Sequence, residues 1–337
     1  PGDDPGTTTI AAIVVCYGLG AMVWYGHAQL AVALGILSTI LLYFKAELRG
    51  VSATLSQRDW LSILQFSVLS LVVLPVLPNQ SYGPYGALNP YQVWWMVVLI
   101  SGLSLAGYAA LRIAGERHGA LLTGIFGGIA SSTATTLAFS RHGRADAALA
   151  PLAGVVILIA NWVVLVRLSV VVAVVAPALF ADMAWMLGGG MLAGILWLLK
   201  SWRELARIHL APAPELSLGN PAEIRVAVTF GALYAVVLLA SAALNDWAGQ
   251  AGTYAIAVIS GSTDVDAITL SSLRLHGMGA LAPTVAQTAI LLGLLANIAF
   301  KTTLTATLGG AALAKRVFPG MMLVALGCIG GHLASQL

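Results

Sequence analysis

The chain has 337 residues, of which 59% are hydrophobic and only 9% are charged, and its formal net charge is +3. Soluble domains carry about 25% charged residues, so this composition excludes an ordinary soluble globular protein. The apolar residues form long runs and do not alternate, which excludes an outer-membrane barrel. We therefore predict an all-α integral membrane protein, a polytopic helical bundle whose partner is the lipid bilayer and not a nucleic acid.

Eleven apolar runs come close to the length of about 20 residues that a membrane-spanning helix needs. In chain order they are Thr8–Tyr25, Gln29–Phe44, Leu61–Leu77, Val93–Leu111, Ala120–Phe139, Leu149–Val175, Met183–Leu199, Val226–Leu244, Tyr254–Leu273, Val285–Leu308 and Val317–Leu333. Pro, Gly and charged residues are concentrated between the runs, as in connecting loops. From these runs we predict 9–11 membrane segments.

The connections also indicate how the chain is divided. The predicted parts are residues 1–45 with two helices, residues 46–203 as a first membrane unit, residues 204–222 as a linker, and residues 223–337 as a second membrane unit. The linker contains Pro212, Pro214 and Pro221, so it is the hinge we expect between two halves.

A sequence motif occurs once in each membrane unit. Segment 124–141 contains Gly128–Arg141, which aligns without a gap with Gly261–Arg274 in segment 257–274. An Ala-Asn pair and then a basic residue follow each motif: Ala160, Asn161 and Arg167 in the first unit, and Ala296, Asn297 and Lys301 in the second. We predict an internal repeat, since duplicated halves with a site at their interface are a common transporter plan. The alternative is that small-residue membrane helices resemble one another by composition.

The loop charges favour one topology. If all eleven runs cross, Lys and Arg are divided almost evenly between the two sides, which the positive-inside bias disfavours. If both motif segments enter and leave on the same side, the loop Lys and Arg gather on one face, with the exception of Arg274. We favour this model of nine crossings and two re-entrant motif segments, in which the two units have opposite orientations. Gly127, Gly128 and Gly261 would supply the freedom for the turns. Eleven crossings with parallel halves is the alternative.

Two carboxylates lie inside the second motif. Asp264 and Asp266 follow an apolar run, and a carboxylate at membrane depth costs roughly 2.5–3.5 kcal/mol on insertion scales. Such a charge needs a partner, a water-filled cavity or an ion. Neutral oxygens nearby would complete an oxygen-lined site of the kind that hard cations prefer. The predicted cation ligands are Asp264, Asp266, Ser262, Thr263, Thr269, Ser131, Ser132, Thr133, Thr136, Asn161 and Asn297.

Structural interpretations of the same residues stay open. Arg167 and Lys301 lie well inside apolar runs, so either could form a buried ion pair with one of the two aspartates. One carboxylate could instead be protonated, which would allow proton coupling. The Ser/Thr run of the first motif could serve only in helix packing, and the two asparagines could be interhelical hydrogen-bonding groups.

The chain lacks the motifs of soluble enzymes. It has no P-loop, no G-x-S-x-G and no H-E-x-x-H sequence, so we predict no enzymatic activity. An intramembrane hydrolase with two aspartates is a minor alternative, because such enzymes need acids on two separate helices and here both acids share one segment. No Cys or His pair has soft-metal spacing, so we expect no cofactor other than a bound cation such as Mg²⁺.

Several motifs resemble a known bacterial membrane family. They are Glu47-Leu48-Arg49, Asp59-Trp60-Leu61, Tyr82–Pro90, Gly124–Thr136 and Asp264–Leu270. They resemble the multi-span domain of uncharacterised function that is often fused behind an MgtC/SapB-type domain, and Gly6–Thr9 with the two helices after it is similar to the end of such a domain. The resemblance implies a multi-pass protein of the bacterial inner membrane, associated with Mg²⁺ homeostasis, and a longer MgtC/SapB part before residue 1.

These observations lead to one main function and one main alternative. We expect a transporter or channel for a cation, and favour a divalent cation such as Mg²⁺, with its site between the two motif segments. The alternative is a regulatory membrane protein of ion homeostasis that transports nothing. The small residues Gly188–Gly190 allow close helix approach, which is compatible with a homodimer.

Overall fold

The structure is a computed structural model, and it describes residues 7–45, 56–114, 120–206 and 224–336. Helices make up nearly all of these residues and no β-strand occurs among them, so the all-α prediction is confirmed. The helices are α1 (Thr7–Trp24), α2 (Ala28–Tyr43), α3 (Gln57–Ser67, continued by a π-helical turn Val68–Val73 and by Leu74–Val76), α4 (Pro90–Ala114), α5 (Ala120–Ala145), α6 (Ala150–Val175), α7 (Phe180–Ala206), α8 (Ile224–Thr263), α9 (Val265–Gly277) and α10 (Pro283–Ala334). Short 3₁₀ turns span Pro84–Gly86, Ala147–Leu149 and Pro177–Leu179.

Among the described residues, seven helices are long and apolar enough to cross a membrane, namely α3, α4, α5, α6, α7, α8 and α10. The helices α1 and α2 are apolar but shorter. The chain is therefore a multi-pass membrane protein. The eleven predicted apolar runs are largely helical, although the run Tyr254–Leu273 is interrupted at Asp264, and the number of membrane crossings stays a prediction.

The chain divides into two compact units, Pro1–Trp60 and Leu61–Leu337. In the first unit, α1 and α2 are joined by a tight turn that contains Gly26 in the left-handed region. The second unit is built around α6, which is the most buried of the seven candidate spans. The predicted first boundary, after residue 45, adjoins residues outside the described part, and the predicted linker lies outside it from residue 207 onward.

The two longest helices each bend sharply at one glycine. Gly249 in α8 has φ 58° and Gly310 in α10 has φ 79°, a left-handed conformation that favours glycine. Beyond Gly310 the chain turns back, because Thr288 near the start of α10 lies 3.3 Å from His332 near its end. In α8 the hydroxyl of Thr253 similarly lies 3.2 Å from the side-chain oxygen of Asn245 across the bend at Gly249. Each of the two helices therefore consists of two antiparallel arms.

The first motif begins by running in the same direction as α6. A methyl group at Gly124 would lie 3.2 Å from the carbonyl oxygen of Val156, and one at Gly128 would lie 2.7 Å from Ala160. The contacts therefore advance by one helical turn on both α5 and α6 together. This order of contacts defines two parallel helices.

After Ser131 the direction reverses. Ser131 has an extended backbone (φ −167°, ψ 102°) in the middle of α5. Beyond it the side chain of Asn161 donates to the hydroxyl of Thr136 at 3.0 Å, and Gly143 packs against Ala153. Because the contacts now run backwards along α6, the second arm of α5 is antiparallel to it. The first motif is thus a helical hairpin.

The second motif repeats this arrangement against α10. Gly293 faces the carbonyl oxygen of Ala257, and Asn297 donates to the carbonyl oxygen of Gly261 at 2.9 Å, so the end of α8 runs parallel to α10. The chain then turns at Asp264, whose backbone is also extended (φ −148°, ψ 110°).

Helix α9 returns in the opposite direction. Its residue Ile268 packs against Gly293, and His276 near its end lies 3.0 Å from the carbonyl oxygen of Leu281 just before α10. Both motif segments therefore turn back on themselves, as the re-entrant model predicts. The turns occur at Ser131 and Asp264 and not at the glycines, which instead allow close contact with the neighbouring helix.

The contacts also correct the register of the repeat. The motif glycines Gly128 and Gly261 contact Ala160 and Gly293, respectively, so Gly293 takes the place of Ala160. The sequence alignment had paired Ala160 with Ala296, and therefore Asn161 with Asn297, which was wrong by nearly one helical turn. The pairing fails because the position of closest approach requires a small residue at that point, whatever the residues that follow.

The two hairpins reach the centre from opposite ends of the bundle. One end holds the basic residues: Arg144 donates to the carbonyl oxygen of Thr307 at 3.1 Å, and Gly154 packs near Arg316. The other end holds the bend of α8 in the second membrane unit, where Asn245 donates to the carbonyl oxygen of Ala280 at 3.2 Å. The two membrane units, residues 46–203 and 223–337, therefore have opposite orientations, which agrees with the charge-based topology.

Candidate functional site

A cavity of about 340 Å³ lies where the two hairpins meet. Its charged lining residues are Asp264, Asp266, Arg167 and Lys301. Its neutral polar lining residues are Ser101, Ser104, Ser131, Ser132, Thr133, Thr263 and Asn297. Non-helical backbone at membrane depth is tolerated where it is buried in protein or lines a cavity, and both extended residues, Ser131 and Asp264, border this one.

Asp264 terminates one half-helix and caps the next. Its Oδ1 accepts hydrogen bonds from the backbone N–H groups of Asp266 at 2.8 Å and Ala267 at 3.3 Å. These are the unsatisfied donors that the first turn of α9 presents, and a carboxylate is also favoured there by the helix dipole. Ser131 caps the second arm of α5 in the same way, since its Oγ accepts from the N–H of Ala134 at 3.3 Å.

Asp266 forms a buried ion pair with Arg167. The Nη2 atom of Arg167 donates to Oδ2 of Asp266, and both side chains are about nine-tenths buried. The Nη1 atom of Arg167 also donates to the carbonyl oxygen of Ile129, at the end of the first arm of α5, at 3.3 Å. Arg167 therefore links the two motif hairpins. Oδ1 of Asp266 and Nε of Arg167 have no hydrogen-bond partner among the described residues.

Lys301 is the second buried cation. It is 2% exposed, and its Nζ donates to Oγ of Ser132 at 2.7 Å. Ser132 begins the second arm of α5, whereas Lys301 lies on α10. This hydrogen bond therefore also joins the two membrane units. Arg167 and Lys301 both interact electrostatically with Asp264. Among the described residues, however, no Lys or Arg side chain forms an ion pair with Asp264.

The predicted ion pair between a basic residue and an aspartate is confirmed for Arg167, whose partner is Asp266. Five neutral predicted ligands line the cavity together with the two aspartates: Thr263, Ser131, Ser132, Thr133 and Asn297. Their roles as ligands stay predictions.

Four predicted ligands lie outside the cavity and are committed to other hydrogen bonds: Ser262, Thr269, Thr136 and Asn161. The hydroxyls of Ser262, Thr269 and Thr136 donate to carbonyl oxygens three or four residues earlier in their own helices. Asn161 donates to Thr136 and to the carbonyl oxygen of Ile157, so its interhelical interpretation fits the structure. The structure therefore places these four residues outside this cavity, and their roles as ligands stay predictions.

The sequence interpretation missed two polar groups and one aromatic side chain at the cavity. Ser101 and Ser104 reach it from α4, and Phe230 from α8. The two serines are three residues apart, so they share a face of α4. That spacing is a weak signal in a helix rich in small residues, and nothing local connects it with the motifs.

The glycines proposed for dimer contact are used within the chain. Gly189 packs against Gly327, and Gly190 packs against Cys328 and Leu165. Of these three glycines, only Gly188 is next to open space. Because Gly189 and Gly190 are already packed against the same chain, they no longer support a homodimer, and the oligomeric state stays a prediction.

The described residues contain no group of three or more His, Cys, Asp or Glu side chains that could hold a metal ion. The four charged residues of the cavity would carry no net charge when all are ionised.

Comparison with known proteins gives a family without an assigned activity. A family model described as "Domain of unknown function (DUF4010)" matches residues 98–309, which include both hairpins and all four charged residues of the cavity. A protein of Aquifex aeolicus (strain VF5), described as "Uncharacterized protein", is 29% identical over 182 residues, or 54% of this chain and 79% of that protein. No solved structure matches. The matches carry no MgtC/SapB assignment.

Proposed function

We propose that this chain, which belongs to the family of unknown function DUF4010, is an ion transporter of the bacterial inner membrane in which Asp264 binds a monovalent cation or a proton. The observation that carries the proposal is the position of Asp264. It lies at the break between two half-helices, it borders the central cavity, and no basic side chain among the described residues pairs with it.

The backbone arrangement supports transport. Transporters commonly place their substrate and ion sites at discontinuous helices near the interface of two repeats. Here Ser131 and Asp264 interrupt equivalent segments of two oppositely oriented membrane units, and the cavity lies between the two interrupted segments.

Charge balance favours a monovalent over the divalent cation expected from sequence. Asp266 is already neutralised by Arg167. Lys301 adds a second buried cation beside the remaining carboxylate, Asp264. Because the four charged residues of the cavity carry no net charge when all are ionised, a Mg²⁺ ion would leave two uncompensated positive charges there, whereas a proton or one monovalent ion would leave only one. Burying uncompensated charge is costly, so the smaller charge is preferred.

The same contacts bear on the hydrolase alternative. A pair of catalytic aspartates would have to act on one water molecule, but Asp266 is held by Arg167 and Asp264 is held by two backbone donors. This supports the proposal that the chain is not an enzyme. If the protein moves no ion, the remaining interpretation is a regulatory membrane protein without transport activity.

The test is ion flux in proteoliposomes, in which a pH-sensitive dye reports protons and ion-selective dyes report Na⁺, K⁺ and Mg²⁺. We expect the wild-type protein to change the internal concentration of protons, Na⁺ or K⁺ when a gradient of that ion is applied, and Asp264→Asn to reduce the rate at least ten-fold. Asp246→Asn is the matched control, because Asp246 is exposed and lies outside the cavity.

Three results would contradict the proposal. Wild-type flux that persists in Asp264→Asn would remove the role of this carboxylate. Wild-type protein that moves no ion under any of the three gradients would favour the regulatory interpretation. Flux of Mg²⁺ without flux of monovalent ions would restore the divalent prediction.

A further inference from the structure

A second cavity lies at the basic end of the bundle, away from the central site. Its volume is about 220 Å³, and it is formed by the start of α6, the end of α7 and the second arm of α10. Its lining residues are Pro151, Gly154, Val155, Leu158, Trp197, Lys200, Ser201, Lys315, Arg316 and Pro319. Neither the central site nor its proposed function uses any of them.

The cavity concentrates positive charge. Lys200, Lys315 and Arg316 come from two helices, and none of the lining residues is acidic. Lys200 is held in place by a cation–π contact, with its Nζ 4.4 Å from the centre of the Trp197 ring. Three cations that converge on one hollow repel one another, so an anion bound there would relieve this repulsion.

Trp197, one of the residues that line the cavity, carries a buried hydrogen-bond donor. The indole nitrogen of Trp197 is buried and has no hydrogen-bond partner among the described residues. A buried donor that is left unsatisfied costs roughly 1–3 kcal/mol, so such groups usually have a partner that is protein, water or ligand. The hydroxyl of Ser201 supplies a further donor on the same wall.

The neighbouring small residues keep the hollow open. Gly154 has no side chain, and a methyl group there would reach only ordinary contact with Arg316, Leu313 and Val317, at 3.5–3.8 Å. Pro151 and Pro319 add compact walls. The resulting hollow has cations and a neutral donor on its walls, which is the donor set that a phosphate group accepts from.

We propose that this cavity binds the phosphate group of an anionic membrane lipid. Its position at the end of membrane-spanning helices places it where lipid headgroups lie, and basic pockets between such helices are known to hold anionic headgroups. Lys315 and Arg316 would bind the phosphate oxygens together with Lys200, and the indole N–H of Trp197 would donate to the same group. A soluble phosphate would satisfy the same donors, so the experiment must separate the two sources.

The test is native mass spectrometry of the purified full chain with phosphatidylglycerol or phosphatidylcholine. Each basic residue near the membrane surface contributes roughly a five-fold factor in affinity. We therefore expect Lys315→Gln with Arg316→Gln to weaken phosphatidylglycerol binding about 25-fold and to change phosphatidylcholine binding little. Trp197→Phe removes the N–H donor while it keeps an aromatic ring beside Lys200, and it should weaken phosphatidylglycerol binding by about three-fold.

The matched control is Arg141→Gln with Arg225→Gln, which removes two exposed positive charges outside the cavity. An equal loss of phosphatidylglycerol in this control would overturn the proposal, because the attraction would then depend on net charge alone. Unchanged binding in the Lys315/Arg316 variant would overturn it as well. Addition of inorganic phosphate distinguishes the sources: retained lipid supports the proposed headgroup, whereas displacement of the lipid by millimolar phosphate would overturn the lipid as the occupant.

Discussion

Ser131 and Asp264 occupy equivalent positions in two related helical hairpins. Each has an extended backbone, each ends one half-helix, and each accepts a hydrogen bond from the backbone N–H three residues later, that of Ala134 or Ala267. The repeat has therefore kept the capping geometry while the capping group differs, a neutral hydroxyl in one unit and a carboxylate in the other. This difference concentrates the unpaired negative charge of the cavity in one half.

The capping role predicts different results for two substitutions of Ser131. Ser131→Ala removes the side-chain acceptor and should lower the free energy of unfolding by about 1 kcal/mol. Ser131→Asp keeps an acceptor and should be close to wild type in stability. The measurement is thermal unfolding of the detergent-purified protein.

The same Ser131→Asp variant should also change ion preference. It adds a third carboxylate to a cavity that holds two, beside Asp264 and the Arg167–Asp266 pair. With this excess of negative charge we expect Mg²⁺ to bind roughly ten-fold more tightly than to the wild type, as measured by titration calorimetry. Equal Mg²⁺ affinity in both proteins would show that charge balance does not determine the preference.

The Arg167–Asp266 pair should behave as a unit. Arg167→Gln leaves a buried carboxylate without its partner and should cost about 3–5 kcal/mol of stability. Adding Asp266→Asn should restore a large part of that loss, because two neutral side chains can hydrogen-bond without a buried charge. A double-mutant cycle on thermal unfolding measures the coupling, and simple additivity of the two changes would argue against the pair.

Close helix packing should make the motif glycines intolerant of a methyl group. Gly128→Ala would place a carbon 2.7 Å from the backbone of Ala160, and Gly261→Ala would approach the backbone of Gly293 still more closely. Because backbone cannot move aside as a side chain can, each change should cost about 1–3 kcal/mol. Gly188→Ala is the control, since Gly188 faces open space and its change should stay within about 0.5 kcal/mol.

The hairpin topology predicts which sites share a side of the membrane. In a background of Cys16→Ser and Cys328→Ala, cysteines at Arg141 and Lys315 should react with an impermeant maleimide from the same side of oriented vesicles. A cysteine at Trp247, which is exposed beside the bend at Gly249, should react only from the other side. Labelling of Arg141 and Lys315 from opposite sides would favour eleven crossings.

Much of the architecture could be predicted because it depends on local composition. Every predicted apolar run except Tyr254–Leu273, which is broken at Asp264, falls on helical residues almost throughout, since about 20 consecutive apolar residues suffice to specify a membrane helix. The likeness of Gly128–Arg141 to Gly261–Arg274 was visible in the residues themselves. Loop charges then indicated that the first motif turns back, because Lys and Arg in loops tend to gather on one side of the membrane, and the repeat extended this prediction to the second motif.

The positions of the turns were harder to predict. Glycine was the natural expectation, but the turns are at Ser131 and Asp264, where one extended residue suffices and any residue type can adopt it. What favours Ser and Asp there is their ability to cap the next helix, a signal that also marks many ordinary Ser and Asp residues.

The sequence by itself determined the membrane class, the helical runs, the repeated motif and the two acids at membrane depth. Only the tertiary structure decided that Arg167 pairs with Asp266, that Lys301 binds Ser132 and that Asp264 remains unpaired by a basic side chain among the described residues. These pairs join residues 99 and 169 positions apart in the chain. Local periodicity carries no information about such distances, since each partner depends on how two hairpins from opposite ends of the bundle meet at its centre.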